Sequence, residues 1–226
     1  MTAERYARQL AIVGEDGQIL LAQKRVLIVG CGGLGGYLLE NMLRIGVGHI
    51  IAVDPDRFEA SNLNRQLLCT ESLLDTWKTD AAADRALDVN SAVDLIAVTE
   101  AFSEENGDAL VEGCDLVLDA LDSVPARLLL EEVCGRHDVP LVHGAIRGEI
   151  VQAAVVPPRS GMLRALYAGE SEEIPAPESI AYTPACCAAI QSAQALRLLL
   201  GQEPSLWGRI LQLNLETLTE DIVSFL

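Results

Sequence analysis

No stretch of this sequence reaches the roughly 18 uninterrupted apolar residues that cross a bilayer. The opening Met1-Thr-Ala-Glu-Arg-Tyr-Ala-Arg-Gln also lacks the long apolar segment of a signal peptide. These absences argue against a membrane role and make a cytoplasmic location the expectation. Lysine is nearly missing, with Lys24 and Lys78 the only two. Acidic residues outnumber basic ones 33 to 16, for a formal charge of −17 at pH 7. Such a surface repels a phosphate backbone unless basic residues are gathered locally, and no run of like charge gathers them, so nucleic acid is not an expected partner. The six cysteines, Cys31, Cys69, Cys114, Cys134, Cys186 and Cys187, include no C-x-x-C pair. A four-cysteine zinc site is built from such pairs, so no zinc is expected. The thiols read instead as small core residues in a reducing compartment. No internal repeat is visible.

What the 226 residues do contain is enough apolar material, 50% of the chain, for one domain with a buried core. Short β-branched runs alternate with helical patterns: Arg25–Val29, a helix over Leu34–Ile45, His49–Val53, a helix around Thr79–Leu87, then Asp94–Val98. The series continues through Ala109–Glu112, Asp115–Asp119, a helix near Val124–Gly135 and Pro140–His143. Strands interleaved with helices in this way predict an α/β fold, a doubly wound, mostly parallel sheet covered on both faces. After His143 the pattern changes. Gly148–Val156 reads as a strand in antiparallel company, and Thr183–Gly201 as a long helix. Gly208–Leu215 and Thr219–Phe225 read as a closing hairpin, so antiparallel strands extend the sheet on its C-terminal side. The residues around Gly169–Ile180 are expected to form a mobile functional loop, because ordinary connections are shorter.

Gly30-Cys-Gly32-Gly33-Leu-Gly35-Gly36 follows the first strand and opens the first helix of this alternation, the setting in which backbone N–H groups and a helix N-terminus hold phosphate. Asp54 ends the second strand, where a carboxylate can accept ribose hydroxyls. The following Asp54-Pro-Asp56, Ser61-Asn62-Leu-Asn-Arg65-Gln66 and Lys78 supply cations that a dinucleotide oxidoreductase has little use for and a triphosphate needs. Asp122 stands just past the fourth strand, where a magnesium-holding carboxylate is wanted, although an aspartate there could equally cap the next helix. Arg127, one turn into that helix, suits the orienting of a loop better than contact with substrate. His143, Arg147 and Thr183 could line a substrate groove or simply pack locally.

Taken together these motifs resemble the MoeB/ThiF/HesA family, relatives of the ubiquitin-activating enzymes. The match rests on Arg5-Tyr6-x-Arg8-Gln9, Gly30-x-Gly-Gly-Leu-Gly, Gly46-Val-Gly-His-Ile-x-x-Val-Asp54-x-Asp56, Ser61-Asn-Leu-Asn-Arg65-Gln66, Lys78 and Asp119-x-x-Asp122-Ser-x-x-x-Arg127. It implies a single Rossmann-like adenylation domain over 1–226, with a nucleotide half of about 24–145 and a carrier-binding half of about 146–226. It further implies that Mg-ATP is used to adenylate the C-terminal glycine of a small ubiquitin-like carrier protein ending in Gly-Gly. Carried over to this chain, Gly30, Gly32 and Gly33 approach the nucleotide and Asp54 binds ribose with Asp56 and Ser61 beside it. Asn62, Arg65 and Lys78 hold the phosphates and Asp122 the magnesium ion. In family homodimers the second arginine of the N-terminal motif reaches the partner's phosphates, which makes Arg8 an arginine supplied in trans. The sequence departs from many members in lacking their zinc-binding cysteine pairs and, across Tyr167–Pro184, the cysteine of the thiol-using ones. Cys186 and Cys187 therefore read as buried packing residues, and molybdopterin, tungstopterin and thiamine synthesis all remain open as pathways. Two alternatives stand beside this reading: a catalytically silent dimeric scaffold that holds a carrier, and an enzyme that activates a different carboxylate with ATP.

Overall fold

The computed structural model describes residues 4–169 and 178–225. In chain order the regular elements are α1 (Leu10–Leu21), β1 (Arg25–Val29), α2 (Gly33–Ile45), β2 (His49–Val53), α3 (Lys78–Asn90), β3 (Asp94–Val98), α4 (Gly107–Val111) and β4 (Leu116–Asp119). They continue with α5 (Val124–His137), β5 (Leu141–Arg147), β6 (Ile150–Val156), α6 (Met162–Leu166), α7 (Tyr182–Leu199), β7 (Arg209–Asn214) and β8 (Thr219–Ser224). The run Val26-Leu-Ile-Val becomes β1, with both of its faces buried, as a central parallel strand requires.

All eight strands join one sheet in the order β3-β2-β1-β4-β5-β6-β7-β8. The first five are parallel, and β6, β7 and β8 add on antiparallel to their neighbours. Leu38, Leu39, Met42 and Leu43 of α2 build the core on one face with Ala81, Ala82, Ala86 of α3 and Cys187, Ala188, Ala195 of α7. On the other face Val111, Leu130, Val133 and Cys134 pack with Met162 and Leu163 of α6. The expected α/β architecture and its antiparallel C-terminal extension are present.

Two helices escape the sequence pattern. In α1 the residue Gly14, at φ 73° and ψ 168°, breaks the helical path and blurs the apolar period. The five residues of α6 follow Gly161 in the left-handed region, and their first N–H groups are capped from a distance: Leu163 N and Arg164 N donate to the two carboxylate oxygens of Glu131 at 2.9 and 3.1 Å. The loop expected around Gly169–Ile180 falls largely outside the described residues.

Between α2 and α3, Glu40 accepts from Arg85 Nε and Nη2, both at 2.8 Å, and from Arg44 Nε at 2.7 Å. These guanidinium contacts, Arg85's above all, pull its carboxyl below the usual carboxylate range. A pKa depressed by folding stabilises the protein above the unfolded-state value, and that stability is lost as pH falls through the folded one. Glu40→Gln is accordingly expected to cost about 2 kcal/mol in urea unfolding at neutral pH, and the difference from the wild type should shrink below about pH 4.

Candidate active site

Strand order changes direction between β1 and β4: the chain leaves β1 for α2 on one face and β4 for α5 on the other. A crevice opens at the carboxyl ends of strands that part in this way. At its floor Gly30 has φ +98°, and a Cβ there would lie 2.6 Å from the carbonyl oxygen of Ala120, so only glycine lets the two strand ends close up. A Cβ on Gly35 would lie 1.8 Å from Gly30 O, which holds α2 hard against the loop. Gly32 at the N-cap of α2 offers no side-chain cap, leaving the N–H groups of the first turn and the positive end of the helix dipole to a ligand.

A cavity of about 760 Å³ fills this crevice. Gly30, Gly32, Gly33, Asp54, Asp56, Arg65, Lys78 and Asp122 all line it, so eight of the expected site residues converge. Ser61 and Asn62 are not among its walls. Asn62 is buried in a reciprocal capping box with Glu59, its Oδ1 accepting Glu59 N at 3.0 Å, so its side chain shapes the loop. Ser61 presents its backbone carbonyl to Arg65 Nη1 at 2.8 Å.

Lys78 is only 7% exposed, its ammonium 2.9 Å from Asp56 Oδ2 and 3.7 Å from Asp54 Oδ1. It is the first residue of α3, the end of a helix that disfavours a cation. Two carboxylates compensate this buried cation, and the cavity it lines leaves space beside it. Asp54 is held on both oxygens, by Cys31 N at 2.7 Å and Asp56 N at 2.8 Å. Burial pushes its carboxyl up, against the opposing pull of Lys78 and these two amides. Asp54 thus ties the glycine loop to the end of β2, while Asp56, with its side chain 63% exposed, faces the open cavity.

Arg65 donates to Ser61 O and Asn64 Oδ1 and has no carboxylate partner among the described residues. In so acidic a chain an arginine left to face a cavity is available to an anion. Asp122 is exposed and makes no hydrogen bond or ion pair among the described residues, and the helix cap is Ser123, one residue later. A free carboxylate of this kind fits magnesium, which takes one or two carboxylates together with substrate phosphates and keeps its waters. Among the described residues no group of three His, Cys, Asp or Glu side chains clusters for a metal, so the phosphates would have to supply the remaining oxygens.

The N-terminal motif is divided. Arg5 donates to Val89 O, Asn90 donates to Tyr6 Oη at 2.7 Å, and Gln9 Nε2 donates to Ile45 O at 2.8 Å. These three residues dock on the C-terminal ends of α2 and α3, the opposite end of the sheet from the crevice. Arg8 is exposed between them and does not line its own chain's cavity.

The sequence model of the ThiF family matches residues 6–225. The chain belongs to the ThiF family. It is 33% identical over 229 residues to the SAMP-activating enzyme E1 of Haloferax volcanii, covering 98% of this chain and 85% of that protein. It is likewise 33% identical over 221 residues to the sulfur carrier protein adenylyltransferase of Thermus thermophilus, covering 92% of this chain and 82% of the relative. Among solved structures, E. coli MccB with ATP superposes with a TM-score of 0.84 at 20% identity, over 99% of this chain and 72% of that one, a likeness of fold.

Within this ThiF-family chain Cys187 is fully buried near Gln152 O and Gln191 Oε1, and burial pushes its thiol up. Cys186 is half-buried, so only one of the pair meets the expectation of full burial, yet burial raises its thiol as well and neither lines the cavity. Arg147 lines the far end of the cavity, whereas His143 and Thr183 are fully buried and do not. Sequence reasoning gave no role to Gln66, whose amide lies beside Gly32, or to Phe102, Gln152 and Tyr167, all of them in the cavity wall. Only Gln66 carried a signal, as the end of the Ser61–Gln66 motif.

Proposed function

We propose that this protein is a cytoplasmic, homodimeric ATP-dependent adenylyltransferase. Its substrate in this reading is the C-terminal glycine carboxylate of a small ubiquitin-like sulfur-carrier protein serving molybdopterin, tungstopterin or thiamine synthesis. The observation that carries this reading is the convergence on one cavity of the uncapped α2 N-terminus, Arg65, buried Lys78 and Asp122, which is unpaired among the described residues. The names of the two relatives support the acceptor. All six cysteines are free thiols and no described helix is long and apolar enough to cross a membrane, in keeping with the compartment.

The chemistry needs no dedicated base. A carboxylate is ionised at neutral pH, and it has only to be held in line with the α-phosphorus. One of its oxygens forms a bond to that phosphorus while the bond to the β-phosphate oxygen breaks, and pyrophosphate leaves with the electron pair. The first-turn amides of α2, Arg65 and Lys78 hold the phosphates and stabilise the growing charge on pyrophosphate. A magnesium ion held by Asp122 supplies further charge neutralisation when bound. The far part of the cavity, past Ile150 toward Arg147 and Gln212, gives an extended glycine tail room to lie. A buried lysine wedged between two aspartates is a poor investment for a silent scaffold, which counts against that alternative.

Exchange of labelled pyrophosphate into ATP, run against a panel of small proteins ending in Gly-Gly, tests the proposal. Exchange that depends on one carrier is expected, and the responsive carrier names the pathway. Exchange with none of them, alongside intact ATP binding, would move the acceptor to another carboxylate. The Cys186→Ser/Cys187→Ser variant should retain this exchange within about twofold, lose about 1 kcal/mol of stability, and form no reductant-sensitive adduct with the carrier on denaturing gels.

A further inference from the structure

Partly in the cavity wall and partly behind it lies a polar ring that the adenylation chemistry does not itself use, with Leu121, Arg127 and Tyr167 lining the cavity and Asp119 and His143 fully buried behind them. Asp119, at the end of β4, is fully buried and divides its carboxylate: Oδ1 accepts Leu121 N at 2.9 Å and Oδ2 accepts His143 Nδ1–H at 2.6 Å. The carboxylate is an acceptor, which assigns the proton to Nδ1 of the imidazole. His143 Nε2 faces the Tyr167 hydroxyl at 3.1 Å, the two rings meeting edge to face. Arg127 Nη1 donates to that same hydroxyl at 3.1 Å, and Arg127 Nη2 donates to Leu121 O at 2.6 Å. The contacts close on themselves, from Leu121 to Asp119, His143, Tyr167, Arg127 and back to Leu121.

Both peptide groups of Leu121 are thereby fixed, and the residue that follows is Asp122. The backbone that carries an exposed side chain fixes its Cα–Cβ direction and the rotamers open to it, and Asp122 has no side-chain partner among the described residues. Here that backbone is clamped from two sides by buried groups. A buried aspartate and histidine are costly to keep if packing alone is required, because apolar residues of similar volume serve stability as well or better. Groups that orient a metal-binding carboxylate are worth retaining, since their loss typically weakens metal affinity about tenfold or more.

We propose that His143, with Tyr167, is a positioning residue for the Asp122 carboxylate, acting through the Asp119–Leu121–Arg127 clamp. The inference rests on the adenylation reading in assigning Asp122 to the magnesium of Mg-ATP. It extends that reading by making the metal's contribution depend on side chains that do not touch it.

The test is calorimetric titration with ATP, in magnesium and in EDTA, of the full-length wild type, Tyr167→Phe, His143→Asn, Asp122→Asn and the two doubles with Asp122→Asn. Tyr167→Phe keeps the ring and removes only the hydroxyl, so it carries the test if His143→Asn does not fold. Both single variants are expected to lose about tenfold of the affinity gained from magnesium, with binding in EDTA within about twofold of wild type. On the Asp122→Asn background neither should change binding by more than about twofold. A folded Tyr167→Phe that keeps the magnesium gain, losses that multiply with Asp122→Asn, or equal losses in EDTA would each overturn the proposal. Wild-type protein that binds ATP no better with magnesium overturns it too, whereas magnesium-dependent binding without carrier-dependent exchange sinks only the acceptor assignment.

Discussion

Lys78→Ala is expected to lower carrier-dependent pyrophosphate exchange by about 10³-fold, more than any other single change within one chain. The size follows from where the ammonium sits. At 7% exposure it is largely out of water, so its interaction with phosphate charge developing in the cavity is weakly screened. Its replacement also leaves Asp54, already raised by burial, without its one cationic neighbour, so that carboxyl should rise further and the local charge pattern reverse. The loss should fall mainly on kcat, because charge on pyrophosphate grows in the transition state. Lys78→Arg is expected to recover little, since a planar fork does not fit a slot made for a compact ammonium between Asp54 and Asp56. Unchanged exchange in a folded Lys78→Ala protein would remove the phosphate-binding role from this residue.

Arg8→Ala is expected to be nearly as damaging, about 10³-fold in exchange, and its loss should be curable by mixing. Arg5, Tyr6 and Gln9 fasten the N-terminal segment to the helix ends away from the crevice, which leaves Arg8 exposed and, in the proposed homodimer, free to reach the partner's site. In a mixed dimer of Arg8→Ala with Lys78→Ala, one site combines an intact lysine with the partner's intact arginine and the other lacks both. Random exchange of equal amounts therefore restores about a quarter of wild-type activity, half of the dimers each having one working site of two. An arginine acting on its own chain would restore none. Size-exclusion chromatography and exchange assays on the mixture, before and after subunit exchange, separate the two outcomes.

Much of this arrangement could be read from the residues, because its signals are local. β-branched runs gave the strands almost to the residue, with Arg25–Val29 and His49–Val53 found as expected. The glycine loop and Asp54 stood out by their spacing, and Lys78 by the scarcity of lysine in the chain. What the sequence hid depends on distant partners. α6 is capped by Glu131 from another helix, and α1 is interrupted at Gly14. Asn62 has the chemistry of a phosphate ligand, yet its carboxamide serves the capping box with Glu59, a choice made by three residues of local geometry. For His143 the residues left groove lining and local packing open, and only the pairing of β5 beside β4 sets its ring against Asp119.

The pairing of Lys78 with Asp56 bears on which anions the protein ignores. Asp56 is tethered 2.9 Å from the ammonium and so competes for it at a very high effective concentration. Inorganic phosphate or a small carboxylate metabolite, arriving alone, has nothing with which to outbid a covalently attached rival. On the adenylation reading a nucleoside triphosphate displaces it because several groups bind at once, and Asp56, 63% exposed even while paired, is open to water once released. The resting site is in this sense already occupied by its own side chain, and on the adenylation reading only a multivalent ligand would empty it.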